Sequence, residues 1–189
     1  MSRRRHAGLG ILLAVATAAA CEMESAMKRP EAEPPRADPA DIESIDAIVG
    51  ALYESISFVP GGEPDWDRLR SLFHLGGRLI PRAGEGDVVA LSVEEFIELS
   101  REFIETSGFK ARGFHEREIA RRKDAFGEIA HAFSTYESRH TAADPEPFSR
   151  GINSIQLVRH AGRWWVLSVL WDVERPDNPL PPPEEADAG

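Results

Sequence analysis

Residues 151–174 read GINSIQLVRHAGRWWVLSVLWDVE and decide the fold. Apolar residues alternate with others on both sides of Ala161-Gly162, a dipeptide that is typical of a tight turn between two strands. The same period of two begins at Phe109. The pattern predicts four strands, at 109–123, 128–140, 151–160 and 163–174. Consecutive strands joined by short turns indicate an antiparallel meander.

The chain ahead of this meander has a helical period. Apolar residues recur every three or four positions after Asp38-Pro39, which is a favourable helix start, and predict a helix that ends near Phe58. A short second helix carries Trp66, and a third begins at the capping box formed by Ser92 and Glu95. Two short strand-like runs lie between the second and third helices, at 77–82 and 87–91.

Helices first and a long meander afterwards predict one α+β domain over 38–175, with the helices on one face of a curved antiparallel sheet. Its element order resembles that of the nuclear-transport-factor-2-like superfamily, including the SnoaL-like branch and its cystatin-like α+β architecture. The motifs that carry the resemblance are Pro64-Asp65-Trp66-Asp67, Arg78-Leu79-Ile80 and Gly162-Arg163-Trp164-Trp165-Val166. The resemblance implies a cone, its sheet wrapped around three helices, with a pocket at the open end. It also implies functions that range from isomerases, dehydratases and cyclases to non-catalytic binding and dimerisation domains.

Residues 1–20 have the pattern of a bacterial export signal, with Arg3, Arg4 and Arg5 ahead of a short apolar run. Small residues lead directly to Cys21, the only cysteine, and this arrangement resembles the lipobox of bacterial lipoproteins. The resemblance implies cleavage before Cys21 and lipidation of its thiol, although Ala18 stands where leucine is usual. The alternative is ordinary secretory cleavage, which leaves Cys21 as a free thiol on a soluble periplasmic or secreted protein.

Composition restricts the partners and cofactors of the domain. Residues 21–37 and 176–189 are rich in proline and acids, which predicts a disordered tether and a disordered tail. The net charge of −10 predicts repulsion of phosphate backbones, so we expect no nucleic-acid partner. A single cysteine excludes an internal disulfide and a multi-thiolate zinc site. His131 lacks a partner at metal-ligand spacing, so we expect no metal site, and no motif indicates a cofactor.

Two strand residues are candidates for acid–base chemistry. If the hairpin closes on Asp124–Gly127 and pairs Lys123 with Glu128, His115 lies opposite Tyr136. An imidazole and a phenol at cross-strand distance could cooperate in proton transfer. The alternative is that both are ordinary strand residues, and a register slip of one residue removes the pair.

The pocket and the outer face of the sheet supply further expectations. The candidates for pocket lining are Tyr53, Trp66, His115, Tyr136, Gln156, Trp171 and Asp172. In the last strand, Trp165, Leu167, Val169, Trp171 and Val173 should point one way, and Trp164, Val166, Ser168, Leu170 and Asp172 the other. Both faces are largely apolar, so we expect one to pack on the helices and the other on a second subunit in a homodimer.

Three functions are compatible with this sequence. The first is an exported, lipid-anchored, non-enzymatic cone that binds a small, partly apolar molecule or a protein partner in the cell envelope. The second is an isomerase or dehydratase related to ketosteroid isomerase, in which His115 and Tyr136 move protons. The third is a structural dimerisation module. A deep cavity with convergent polar groups favours the first two, and a filled cone favours the third.

Overall fold

A computed structural model describes residues 34–82 and 88–182. The strands are β1 (Phe73–Pro81), β2 (His115–Phe126), β3 (Ile129–Arg139), β4 (Ser149–His160) and β5 (Arg163–Val173). The helices are α1 (Pro39–Ile42), α2 (Ile45–Ile56), α3 (Trp66–Leu72), α4 (Val93–Thr106) and α5 (Phe109–Arg112). The predicted signal peptide, Cys21 and most of the predicted tether lie outside the described residues.

The five strands form one curved, open sheet in the order β1-β5-β4-β3-β2. Strands β2 to β5 pair antiparallel in chain order, as the alternation predicts, while β1 joins the edge of β5 in parallel. The helices pack on the concave side of the sheet, where they share one apolar core with it. The predicted α+β class is therefore confirmed.

Large side chains fill the middle of this core. Trp171 from β5, Tyr136 from β3 and Phe96 from α4 are each at most 2% exposed. The rings of Phe96 and Trp171 meet edge to face, with 6.3 Å between their centroids. Burial of each such aromatic side chain stabilises the fold by about 1.5–3 kcal/mol. The centre of the cone is packed, as expected of a structural module, and a ligand could bind only towards its rim.

The predicted first helix is two helices. Ser44 has an extended backbone, and its hydroxyl accepts a hydrogen bond from the amide of Ala47 at 3.0 Å, which starts α2 anew after α1 ends at Ile42. Serine favours this capping geometry over a place in a helix interior. The caps predicted at Asp38 and at Ser92 with Glu95 are both confirmed.

The predicted strand from Phe109 begins six residues too early. Residues 109–112 form the single turn α5, because Gly108 and Gly113 on either side both take a positive φ. Phe109 is buried among aromatic rings that include Phe114 and Phe148. The strand-like run at 87–91 is also wrong where it is described, since only Leu91 makes a bridge, to Leu79.

The predicted hairpin register of β2 and β3 is wrong. The turn is Gly127-Glu128, with Phe126 paired to Ile129, so His115 lies opposite Arg139 and Tyr136 lies opposite Glu118. Ile119 forms a β-bulge between Glu118 and Ala120. Gly127 takes a positive φ of 57°, which lets the chain reverse within two residues.

A second bulge, at Leu167, corrects the predicted faces of β5. Gln156 pairs with Ser168 and Leu157 with Val166, so Leu167 is the extra residue. Val166 consequently joins Val169 and Trp171 on the buried face, and Leu167 is 38% exposed. The turn at Ala161-Gly162 is confirmed, with positive φ at both residues.

The outer face of the sheet carries exposed apolar side chains, among them Leu167, Leu170 and Ile129. Part of the predicted tail lies beside it. Pro179 and Leu180 line a depression of about 280 Å³ with Ile152 and Leu170, and the Leu180 amide bonds to Glu174 Oε1 at 3.4 Å. Residues 178–181 thus have defined contacts. A homodimer through this face stays a prediction.

Gly151 in β4 lies where the neighbouring strands leave no room for a side chain. A Cβ at this position would lie 2.6 Å from Tyr136 Oη and would also meet the Asp172 carbonyl oxygen. We expect Gly151→Ala to lower the free energy of unfolding by about 1–3 kcal/mol, measured by urea denaturation. The matched control is Gly50→Ala in the middle of α2, where an added Cβ meets nothing within 4 Å. That change should instead stabilise by about 0.5–1 kcal/mol, and equal effects at both glycines would contradict the packing described.

Candidate functional site

A line of buried polar side chains crosses the concave face of the sheet beneath α2. Tyr53 comes from α2, Ser134 from β3 and Asn153 from β4, and all three are less than 5% exposed. The Tyr53 hydroxyl lies 2.6 Å from Ser134 Oγ, and Asn153 Nδ2 donates to Tyr53 Oη at 3.0 Å. Burial raises the pKa of the Tyr53 phenol above its usual value, so the phenol stays protonated.

The donors along this line run in one direction. Ser134 donates its single hydroxyl proton to Glu118 Oε2, so Tyr53 must be the donor in its bond to Ser134. Glu118 also accepts from Arg121 Nε at 2.8 Å, and Arg121 reaches Asp46 Oδ1 on α2 at 2.5 Å. The line therefore ends on a carboxylate that an arginine neutralises.

The bulge at Ile119 makes this ion pair possible. In a regular strand, residues three apart point to opposite faces. Because Ile119 is an extra residue, Glu118 opposite Tyr136 and Arg121 opposite Ser134 both face the helices. Bulges commonly redirect side chains in this way beside functional sites.

Glu116 is a buried acid with no ion-pair partner among the described residues. Its side chain faces the core beside Ser138, whose hydroxyl donates to Glu116 Oε2 at 2.8 Å. The other oxygen, Oε1, is buried and has no hydrogen-bond partner within residues 34–82 and 88–182. Burial raises the pKa of Glu116 to about 8, and the Ser138 bond only partly opposes this. The carboxyl group is therefore mostly protonated at neutral pH and can donate a hydrogen bond.

Glu116 and Glu118 line a cleft of about 460 Å³ between α2 and β2. Other residues of its wall are Gly50, Tyr53, Glu54, Ser57, His115, Arg117 and Arg121. Ser57, the residue after α2, joins the helix to β2, because its hydroxyl accepts from the Glu116 amide at 3.0 Å. The residues that line the cleft thus include a neutral acid, a tyrosine, a histidine and an arginine.

Two of the predicted pocket residues, Tyr53 and His115, line this cleft together. Tyr136 does not line it. Its ring is 2% exposed, and burial together with the nearby Glu116 holds the pKa of its phenol well above the usual range. The cross-strand pair of His115 and Tyr136 is not formed, since the register separates them. A catalytic role for either residue stays a prediction.

The other predicted pocket residues lie elsewhere. Trp66 is buried in the helix layer with Arg101 over its ring at 5.8 Å. Gln156 of β4 is exposed and pairs with Ser168 of β5. Trp171 and Asp172 contribute to the depression beside the tail, and Arg175 pairs with Asp172 at 2.5 Å. None of these four joins the cleft.

Sequence reasoning missed Glu116, Glu118, Ser134 and Asn153. Acids that alternate with arginines along neighbouring strands normally indicate cross-strand ion pairs, and Arg117 of β2 does pair with Glu137 of β3, at 2.7 Å. The same interpretation fails for Glu116, which is only 3% exposed and pairs with no arginine of the described residues. The available signal was Ser138, whose hydroxyl can donate a hydrogen bond to an acid that faces inward. Only the correct register brings Ser138 opposite Glu116.

The part of the chain that the structure describes contains no group of three or more His, Cys, Asp or Glu side chains placed to hold a metal ion. Within the same residues, no helix has both the length and the apolar character that a membrane span requires.

No protein-family model matches the sequence, and no curated protein matches it significantly. Solved structures do. An NTF2-like protein with a cystatin-like fold from Novosphingobium aromaticivorans superposes with a TM-score of 0.50 at 14% identity, over 69% of this chain and 78% of that chain. The fold is NTF2-like. A cystatin-like protein of unknown function from Nostoc punctiforme covers 59% of this NTF2-like chain and 78% of its own length, at 15% identity and a TM-score of 0.48. Aln2 from Streptomyces covers 58% and 76%, at 14% identity and a TM-score of 0.46.

The buried carboxyl group of Glu116 should make stability depend on pH. Its pKa is about 8 in the folded NTF2-like domain and near 4.5 when unfolded, so folding favours the protonated acid. This contribution is complete below pH 4.5 and is lost as pH rises to 8. We expect urea unfolding to show a loss of stability between pH 5 and pH 8 that Glu116→Gln abolishes. Glu98→Gln, at an exposed position of α4, is the control. The same pH dependence in all three proteins would show that Glu116 ionises normally.

Proposed function

We propose that this protein is an exported, lipid-anchored NTF2-like domain that binds a small, partly apolar molecule in the cleft between α2 and β2. The observation that carries the proposal is the unpartnered Oε1 of Glu116, an acid that is buried beside the cleft without an ion pair. A buried polar atom without a partner costs about 1–3 kcal/mol, which a ligand acceptor atom would recover.

The chemistry of the cleft indicates the class of ligand. Protonated Glu116 supplies an O–H donor, and Arg121 and His115 supply N–H donors on the same wall. Carbon atoms of Gly50 and of the long side chains form much of the remaining wall. A molecule with a carbonyl or similar acceptor oxygen on a compact apolar body fits this combination.

Catalysis is the second candidate, because Glu116 and His115 line the same cleft. A neutral acid that donates to a carbonyl oxygen and an imidazole that removes a neighbouring proton are the two parts of an enolisation. An isomerase or dehydratase would use these parts. Tyr136 would then act through its effect on Glu116 and would not touch the substrate, since its phenol is buried.

One NMR experiment separates these functions. The probe is 1-indanone, a small apolar ketone, and indane is its matched control without the carbonyl. We expect 1-indanone to shift the amide resonances of Ser57 and Glu116, to bind at least tenfold tighter than indane, and to lose about tenfold in affinity in Glu116→Leu. Glu98→Gln should bind as the unaltered protein does. Equal binding of both probes, or unchanged binding in Glu116→Leu, would remove the proposed site.

The same samples in D₂O report on catalysis. Acceleration of hydrogen exchange at the carbon next to the 1-indanone carbonyl, lost in both His115→Ala and Glu116→Leu, would favour the enzyme. Binding without any acceleration would favour the binding domain.

The anchor is tested at Cys21. We expect mass spectrometry of membrane-extracted protein from a bacterial host to find a mature chain that begins at Cys21 and carries acyl groups, and we expect Cys21→Ser to be released from the membrane. Two or more acyl chains would hold the protein durably, at about 0.8 kcal/mol per buried methylene. A mature chain with an unmodified thiol at residue 21 would contradict lipid anchoring and leave the cleft proposal unaffected.

A further inference from the structure

A second concave surface lies at the other end of the sheet, where the β4–β5 turn meets the start of β1 and residues 34–37. It is a groove of about 600 Å³, a size common among ligand pockets. It shares no lining residue with the cleft between α2 and β2. We call it the arginine groove, after Arg36 and Arg163 in its wall.

The charge of the arginine groove is opposite to that of the chain. The protein has 32 acidic residues and a net charge of −10, yet no described Asp or Glu lines this groove. Its titratable wall residues are Arg36, His74, His160 and Arg163. Clustered cations without acids in an acidic protein attract anions to one place.

Arg163 is the centre of this arrangement. Its guanidinium is half-buried and bonds to two backbone carbonyls, Nη2 to Ser71 at 2.7 Å and Nε to Trp164 at 3.2 Å. Neither carbonyl neutralises the charge, no carboxylate of the described residues pairs with it, and Nη1 has no protein partner there. Desolvation lowers the pKa of Arg163, and no acid opposes that effect. A half-buried guanidinium of this kind is stabilised by an anion.

The remaining wall is aromatic and apolar. The Arg163 guanidinium carbon lies 3.6 Å from the centroid of the Trp165 ring, and His74 meets that ring edge to face at 5.6 Å. His74 Nδ1 donates to the Leu75 carbonyl at 2.8 Å, which holds the imidazole in place. Ile42 and Leu75 complete the wall with prolines of residues 34–39. A flat apolar body can therefore lie beside the cations.

We infer that the arginine groove binds a small organic anion, with its carboxylate or sulfonate on Arg163 and Arg36 and its apolar or aromatic body against Trp165 and Leu75. This binding is independent of the cleft between α2 and β2, because the two surfaces have no residue in common.

The test uses two fluorescent probes that differ by one charge. 1-Anilinonaphthalene-8-sulfonate carries the anion, and N-phenyl-1-naphthylamine is the same aromatic body without it. We expect the full 189-residue chain to bind the sulfonate at least tenfold tighter than the uncharged probe. Arg163→Met should remove this preference, and Arg36→Gln should reduce it severalfold.

Arg159→Gln is the matched control, since it removes one positive charge from the same hairpin at an exposed residue outside the groove. It should leave sulfonate binding within twofold of the unaltered protein. Arg36 lies outside every helix and strand, so its variant tests the groove even if Arg163→Met fails to fold. Equal affinity for both probes, or unchanged sulfonate binding in Arg36→Gln and Arg163→Met, would overturn the inference.

Discussion

The hydrogen bonds of Tyr53 are the constraint on which the rest of this structure depends. A phenol buried at the helix–sheet boundary must find partners or lose about 1–3 kcal/mol. Tyr53 finds them on two strands, Ser134 on β3 and Asn153 on β4, and through Ser134 it reaches Glu118 on β2. These bonds fix α2 against the three strands in one position. The same position opens the cleft beside α2 and sets its polar wall, so the packing of the domain and the chemistry of its candidate site have a common origin.

Much of the architecture could be predicted because its signals are local. Alternation over 151–174 specifies two strands, the Ala161-Gly162 turn needs only its own backbone preferences, and the Ser92 capping box needs only its own helix. The failures concern choices that depend on distant partners. The periodic apolar stripe continues through Ser44, and only the formed cap shows that the helix restarts there. The single turn α5 forms where Phe109 finds an aromatic cluster drawn from other parts of the chain.

The candidate site was predictable in part for the same reason. A tyrosine on the first long helix and a histidine of the first long strand were expected near a pocket, and Tyr53 and His115 do line one cleft. Glu116 was not expected there, since an acid among arginines in an alternating strand normally indicates a solvated face. Its burial is decided by pairing with Ser138, and that pairing depends on a register that no single strand specifies. The arginine groove is likewise invisible in sequence, because Arg36 and Arg163 are far apart along the chain.

The bulge at Ile119 has a consequence for how relatives of this protein should be compared. The pairing of Glu118 with Tyr136 and of Ala120 with Thr135 would continue unbroken if residue 119 were absent, with every later side chain on the same face. Ile119 is therefore a position where homologous strands can differ in length by one codon while they keep the same inward charges. An alignment that forbids a gap inside a strand would be out of step from residue 120 onward, and would equate inward residues of one protein with outward residues of the other.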